Sequence, residues 1–263
     1  MNDMKFIKET FWHLLNREGG IVIPIIQRSY TQGGRGIGAD EDVSVQKKGA
    51  AFLDYLVLAL TKPSPVELDF IYGTTNSKKI EPLDGQQRLT TLFLLHWYIA
   101  QKEGCLDATV QGILKLFSYE TRVSSRDFCE NLSASSIGVN FKTGYEFVKA
   151  IENKSWFLLS WKYDPSVCSM LGMLSMIHER LRSANAGLWE RMIQDPTTAP
   201  ITFFYTPLEA FGLTDDLYIK MNARGKELTS LEKFKAEMEE RIDDNGWDAV
   251  KTPSDFFSNQ MDN

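Results

Sequence analysis

Glu67-Leu68-Asp69-Phe70-Ile71-Tyr72 and Lys78-Lys79-Ile80-Glu81-Pro82-Leu83 flank Gly73-Thr74-Thr75-Asn76-Ser77, and the second run feeds directly into Asp84-Gly85-Gln86-Gln87-Arg88. The flanking runs are short and rich in aromatic and branched residues, and the segment between them has turn chemistry, so a hairpin is expected. After Asp84 the period changes. Leu89, Leu92, Phe93, Trp97 and Ala100 fall on one face of a 3.6-residue repeat, which predicts a helix that begins at the polar run and buries that face. A strand therefore hands a cluster of polar side chains to a helix mouth.

Towards the N-terminus, apolar residues at 7, 11, 14 and 15 predict a helix over residues 5–17, ended by Gly19-Gly20. Gly20-Ile21-Val22-Ile23-Pro24-Ile25-Ile26 reads as a buried strand, with Pro24 marking an edge or a strand end. It leads to Gln27-Arg28-Ser29-Tyr30. Thr31 to Asp42 reads as a glycine-rich loop, in which Gly33 to Gly38 is expected to be a mobile flap, followed by a helix over residues 49–60 that Lys62-Pro63-Ser64-Pro65 breaks. Towards the C-terminus, residues 105–200 are mainly helical in pattern, with breaks at Asp164-Pro165 and Asp195-Pro196 and one further strand at Ile201-Thr202-Phe203-Phe204-Tyr205. A turn at Ala223-Arg224-Gly225 precedes a helix from about Ser230, with Thr229 and Glu232 as a capping box. No internal repeat is present.

The polar run has a plain structural reading. Asp84 can cap the helix and Asp84-x-x-Gln87 is a variant of the capping box, which satisfies orphan amides without a ligand. Capping leaves Arg88 unexplained, because a cation in the first turn opposes the positive end of the helix dipole. Free amides after Gly85, two carboxamides and a guanidinium describe an anion-binding mouth.

The other candidates balance more evenly. Gln27-Arg28-Ser29-Tyr30 offers a second guanidinium and a ring past a strand end, yet alone it is an ordinary exposed arginine and a half-buried tyrosine. Gly33-Gly34-Arg35-Gly36-Ile37-Gly38 matches neither phosphate-loop pattern, although Arg35 can reach a ligand from it. In Asn222-Ala223-Arg224-Gly225 a helix-ending turn and a functional role are equally served. Thr121-Arg122 and Ser125-Arg126 read as surface charge, and His96, beside a core face, as a hydrogen-bonded structural histidine.

Bulk composition narrows the classes. A chain of 263 residues that is 43% hydrophobic can bury a core without disulfides or metal. A net charge of −6 excludes a histone-like wrapping of DNA, though not a local basic cleft. Three cysteines without a CxxC pair suit a reducing compartment, and the absence of a leader or a long apolar stretch makes the cytoplasm the expected location, with no membrane partner. The end of the chain at Phe256-Phe257-Ser258-Asn259-Gln260-Met261-Asp262-Asn263 suggests a fragment of a longer protein.

Taken together, Ile23-Pro24-Ile25-Ile26-Gln27-Arg28-x-Tyr30, Leu83-Asp84-Gly85-Gln86-Gln87-Arg88-Leu89-Thr90-Thr91-Leu92 and Met221-Asn222-Ala223-Arg224-Gly225-x-x-Leu228 resemble the N-terminal domain of GmrSD-type modification-dependent restriction systems. The resemblance runs from about residue 20 to the end, and Tyr119-Glu120-Thr121-Arg122 with Arg126-Asp127-Phe128 is similar to that family as well. It implies an α+β fold: a small mixed sheet like that of ParB and sulfiredoxin over residues 1–104, holding a nucleotide, then a mainly helical region over 105–263. It also implies hydrolysis of a nucleoside triphosphate with magnesium, used to control DNA cleavage in phage defence. The alternative is a module that binds nucleotide or modified DNA without hydrolysis and switches a partner nuclease. The implied partners are a nucleoside triphosphate, DNA and a nuclease domain or subunit, with self-association left open.

Carried over by position, Gln27, Arg28, Asp84, Gln86, Gln87 and Arg88 form the site. Arg28 and Arg88 would clamp phosphates, Asp84 would hold the metal or water, and Gln86 or Gln87 would orient the water. Tyr30, Gly85 and Thr90 complete the expected nucleotide contacts, with Arg35, Asn222 and Arg224 as accessories. The sequence departs from the family where Thr31-Gln32 follows Tyr30 in place of a tryptophan. Its three scattered histidines supply no nuclease centre, so this chain is not expected to cut DNA by itself.

Overall fold

The computed structural model describes residues 7–17, 19–24, 29–34, 39–76, 78–120 and 122–207. The chain opens with strand β1 (Ile7–Glu9) and helix α1 (Phe11–Leu15), where the sequence pattern predicts one helix. The apolar stripe at 11, 14 and 15 is helical, but Thr10 accepts a bond from the His13 amide and starts the helix there, leaving Ile7 to pair with Tyr205 in the sheet. Strand β2 (Ile21–Ile23) falls where the branched run predicts it and ends at Pro24.

Helix α2 (Ala39–Thr61) begins ten residues before the expected start at 49 and ends at the predicted Lys62-Pro63 break. Strands β3 (Val66–Asn76) and β4 (Lys79–Pro82) form the expected antiparallel hairpin, with Thr75 opposite Ile80 and Asn76 opposite Lys79. Gly73 to Asn76, expected in the turn, belong to the strand, because β3 stays paired with β4 to the hairpin tip, where Lys78 takes a left-handed conformation. Polar threonines there follow strand propensity and tertiary pairing over the turn-like composition.

Helix α3 (Gln86–Lys102) carries the predicted buried face, with Leu89, Leu92, Phe93, Trp97 and Ala100 all in the core. Leu94, Leu95, Tyr98 and Ile99 are buried too, so the helix is enclosed on all sides rather than amphipathic. Each large side chain so buried contributes about 1.5–3 kcal/mol of hydrophobic stabilisation, which makes α3 the centre of the fold. The rest is helical as expected, in α4 (Ala108–Leu114), α5 (Val123–Ala134), α6 (Gly144–Glu152), a 3-10 turn (Leu159–Tyr163), α7 (Pro165–Leu181) and α8 (Leu188–Met192). The composition did not predict β5 (Phe117–Tyr119), whereas β6 (Ile201–Pro207) falls at the expected strand.

The strands form one six-stranded sheet in the order β1-β6-β3-β4-β2-β5. It is mixed: β1 with β6 and β3 with β4 are antiparallel, while β2 runs parallel to both β4 and β5. The fold is therefore α+β. Ile7–Tyr205 form one compact unit, and the remainder, residues 1–6 and 206–263, lies outside the described residues apart from the last two positions of β6. Among the described residues no helix is long and apolar enough to cross a membrane.

Candidate functional site

Because β2 is parallel to both of its neighbours, with Ile21 beside Ile80 and Phe117 and Ile23 beside Tyr119, these three strands end on the same edge of the sheet. Each of them runs out into a polar segment: Asp84 to Arg88 after β4, Gln27 to Tyr30 after β2, and Glu120 to Arg122 after β5. Ligands of sheets with parallel strands collect at this carboxyl edge.

At the exit from β4 the Leu83 and Asp84 amides both donate to the Tyr72 carbonyl, at 2.7 and 3.2 Å. The chain then turns through Gly85, whose φ of 87° is left-handed and which has no side chain to cap α3. Any Cβ here would stand 2.8 Å from Cγ1 of Ile71, so glycine is required by both conformation and space. This corrects the capping expectation: Asp84 lies one residue too early to cap α3, and Gln87 does not reach back to it. Asp84 instead accepts from Nη2 of Arg88 at 3.0 Å, one helical turn on. Arg88 also donates to the Phe70 carbonyl at 2.8 Å and lies 3.7 Å from the Asp69 carboxylate. The negative partner that Arg88 needs in a first turn is thus supplied by the chain itself. The Arg88 side chain is only 15% exposed, whereas that of Asp84 is 38% exposed.

The two carboxamides of the run point apart. Gln86 is buried, with Nε2 turned back 3.4 Å from the carbonyls of Pro82 and Leu83. Gln87 reaches across to the segment after β2: its Oε1 accepts from the Thr31 amide and its Nε2 donates to the Ser29 carbonyl, both at 3.0 Å. One side chain thereby imitates the paired bonds of a neighbouring strand and pins the loop. Gly33 sits so close to α7 that a Cβ would meet the Ser169 carbonyl at 1.6 Å, so the described start of the expected flap is packed against α7, while residues 35–38 lie outside the described residues.

Below the mouth, buried hydroxyls brace the segments. The Tyr30 hydroxyl lies 2.8 Å from Thr91 Oγ1, which is 2.6 Å from Gln32 Oε1, and Thr90 Oγ1 lies 2.8 Å from the Tyr119 hydroxyl. Burial pushes both phenols well above their ordinary pKa, so they remain neutral. Tyr30 and Thr90 are enclosed, each 1% exposed, and position the mouth from beneath.

Sequence reasoning missed the third wall. Arg122, read as surface charge, donates from Nη1 to Ser29 Oγ at 2.6 Å and to Ser166 Oγ at 3.2 Å. The same Ser166 hydroxyl accepts from the Tyr30 amide at 3.1 Å, and the Ser166 amide donates to Asp164 at 2.8 Å. Asp164 also accepts from Ser124 at the start of α5. The only signal for Arg122 in the sequence was its place in Tyr119-Glu120-Thr121-Arg122. Gln27, Arg28, Arg35, Asn222 and Arg224 lie outside the described residues.

His96 is a core residue, as expected. Its Nδ1 is 2.7 Å from the Leu92 carbonyl, and burial lowers its pKa to about 4. Among the described residues no three His, Cys, Asp or Glu side chains cluster to hold a metal ion.

No match was found among curated proteins or among solved structures. The family model described as GmrSD restriction endonuclease, N-terminal domain, matches residues 11–239, which include all three strand ends of the polar edge. The chain belongs to this family, and its role lies in a restriction system.

Proposed function

We propose that the carboxyl edge of β4, β2 and β5 binds a nucleoside triphosphate with magnesium, and that this domain uses the nucleotide to control a partner nuclease acting on DNA. The observation that carries the reading is the mouth of α3. It opens through a left-handed glycine with no side-chain cap, at the edge where two other polar segments converge. Uncapped first-turn amides at a positive helix end suit phosphate oxygens. Gly85 to Arg88 supply that cradle, and Gln27 and Arg28, which follow β2 in the sequence, are proposed as further phosphate contacts.

Asp84 fits a magnesium ion held chiefly by phosphates, since such ions commonly take one or two protein carboxylates. It is freed from capping and partly exposed, with one oxygen on Arg88. When bound, the ion neutralises phosphate charge. Phosphates that draw Arg88 away would release Asp84, so the internal ion pair acts as a placeholder for the ligand.

The test is thermal melting with magnesium and each of ATP, GTP, CTP and UTP. A ligand that binds the native state raises the melting temperature, by the equivalent of about 2.7 kcal/mol at a hundred times its dissociation constant. No rise with any of the four, with or without DNA, overturns the reading.

A specific observation favours a second reading, in which binding alone switches the partner. Gln87 uses both ends of its carboxamide on the loop, and Gln86 is turned inwards, so neither is poised to orient an attacking water. Phosphate release separates the two. Turnover that falls in Gln87→Ala supports hydrolysis, and binding without turnover supports the switch.

A further inference from the structure

We propose that the 3-10 turn and the first residue of α5 form a surface through which two copies of this chain associate. The inference is independent of the nucleotide reading. Among the described residues eight large hydrophobic side chains are exposed, and four of them gather here: Leu158, Leu159 and Tyr163 at 53, 74 and 77%, and Val123 at 55%. Single exposed hydrophobics are ordinary, whereas a gathered patch marks a contact surface. Two observations bring the elements together. Ser124 donates to Asp164, which draws Val123 and Tyr163, each one position earlier, towards each other. The Trp161 ring also stands edge-on to Phe128 of α5, with centroids 6.1 Å apart, and Phe157 packs on Trp161 at 5.5 Å. The exposed side chains therefore project from a platform of buried rings, and a rigid platform loses little freedom on association.

The charges around the patch decide what covers it. Lys149 and Lys162 both lie on Glu152, at 2.7 and 3.1 Å, Arg126 lies 3.5 Å from Asp127, and Asp164 caps α7. With bases and acids matched in place, this rim presents no positive field to a nucleic-acid backbone or to anionic lipid. A rim of both signs can instead face its own copy across a two-fold axis, where the acids of one chain meet the bases of the other. The size agrees. Two leucines, a tyrosine and a valine at these exposures present on the order of 450 Å² of apolar surface per copy. Two copies would cover about 900 Å², and because apolar atoms make up roughly 60% of an interface, the whole contact comes to about 1,500 Å², the size of a specific dimer.

The experiment is sedimentation equilibrium of the whole chain, without nucleotide, over a concentration series reaching the high micromolar range and at low and high salt. Wild type is compared with Leu159→Asp, Tyr163→Asp and Tyr55→Asp, the last an exposed tyrosine on α2 that controls for the added charge. Wild type is expected to rise with concentration towards twice the mass of one chain, and to do so in high salt as well, because an apolar contact is not screened. Leu159→Asp and Tyr163→Asp should each weaken the dimer by about tenfold or more, and Tyr55→Asp should match wild type. A wild type that stays monomeric overturns the proposal and leaves the patch to a partner of different sequence. A dimer that dissociates in high salt, that survives both patch substitutions, or that Tyr55→Asp weakens equally, overturns it too. If circular dichroism shows that an aspartate variant does not fold, Leu159→Ser decides: an undiminished dimer rejects the proposal.

Discussion

Helices α3 and α7 are both seventeen residues long, both run through the core, and both begin against the segment after β2, yet their mouths are built in opposite ways. In α7, Asp164 accepts from the amides of Ser166 and Val167 at 2.8 and 3.0 Å, and Pro165 fills the first position, where no amide is needed. In α3 the cap position is Gly85 and offers no acceptor. Four other helices are closed as α7 is. Thr10, Asp107 and Thr143 cap α1, α4 and α6, and Glu103 reaches from beyond α3 to the first amides of α8. Besides α3, the α-helix whose described start has no side-chain acceptor is α5, which begins after Arg122 on the same sheet edge. Closed mouths thus serve the fold, and the open ones stand where the family's polar motifs converge.

The comparison can be pressed first in the helix bodies. Each helix buries a histidine, and that of α3 has its pKa lowered to about 4 by burial. Since the unfolded chain binds this proton more readily, the stabilisation is complete above about pH 6.5 and is lost as pH falls towards 4, a change of about 3 kcal/mol. Chemical denaturation of His96→Phe across that range should show a flatter pH dependence than wild type; equal slopes would remove His96 as the cause. Next in size, Gly85→Ala should cost about 2 kcal/mol or more, from the left-handed conformation and the contact with Ile71, and should abolish any nucleotide-induced rise in melting temperature. Asp164→Ala should cost about 1–2 kcal/mol and leave that rise intact. If the two variants respond to nucleotide alike, the distinction between closed and open mouths is wrong. The smallest effect is expected for Gln87→Ala, about 1 kcal/mol, with faster hydrogen exchange at the Thr31 amide that Gln87 holds.

Much of this arrangement was legible in the amino-acid order, for reasons that differ by residue. The hairpin and α3 could be read because Leu89, Leu92, Phe93 and Trp97 repeat at helical spacing directly after a branched run. β1 was hidden because Ile7 happens to extend the stripe of Phe11 and Leu14, and only pairing with β6 makes it a strand. β5 is three residues long and is a strand through its neighbour β2, not through any alternation of its own. At the site, Asp84-x-x-Gln87 has the spacing of a cap, and nothing local reveals that Gly85 turns left-handed and places the helix start one residue later. Arg122 was beyond reach for a similar reason. Its meaning comes from Ser29 and Ser166, which only the folded chain brings beside it.

The parallel pairing of β2 has a consequence for the order in which the protein is made. Its partners are drawn from residue 80 on one side and residues 117–119 on the other, so the polar edge is a non-local structure that forms late in folding. A growing chain that has already produced Gln27-Arg28 and Asp84 to Arg88 still lacks β5 and Arg122. A domain halted midway through synthesis therefore carries Asp84 to Arg88 without the completed sheet edge from which that run extends.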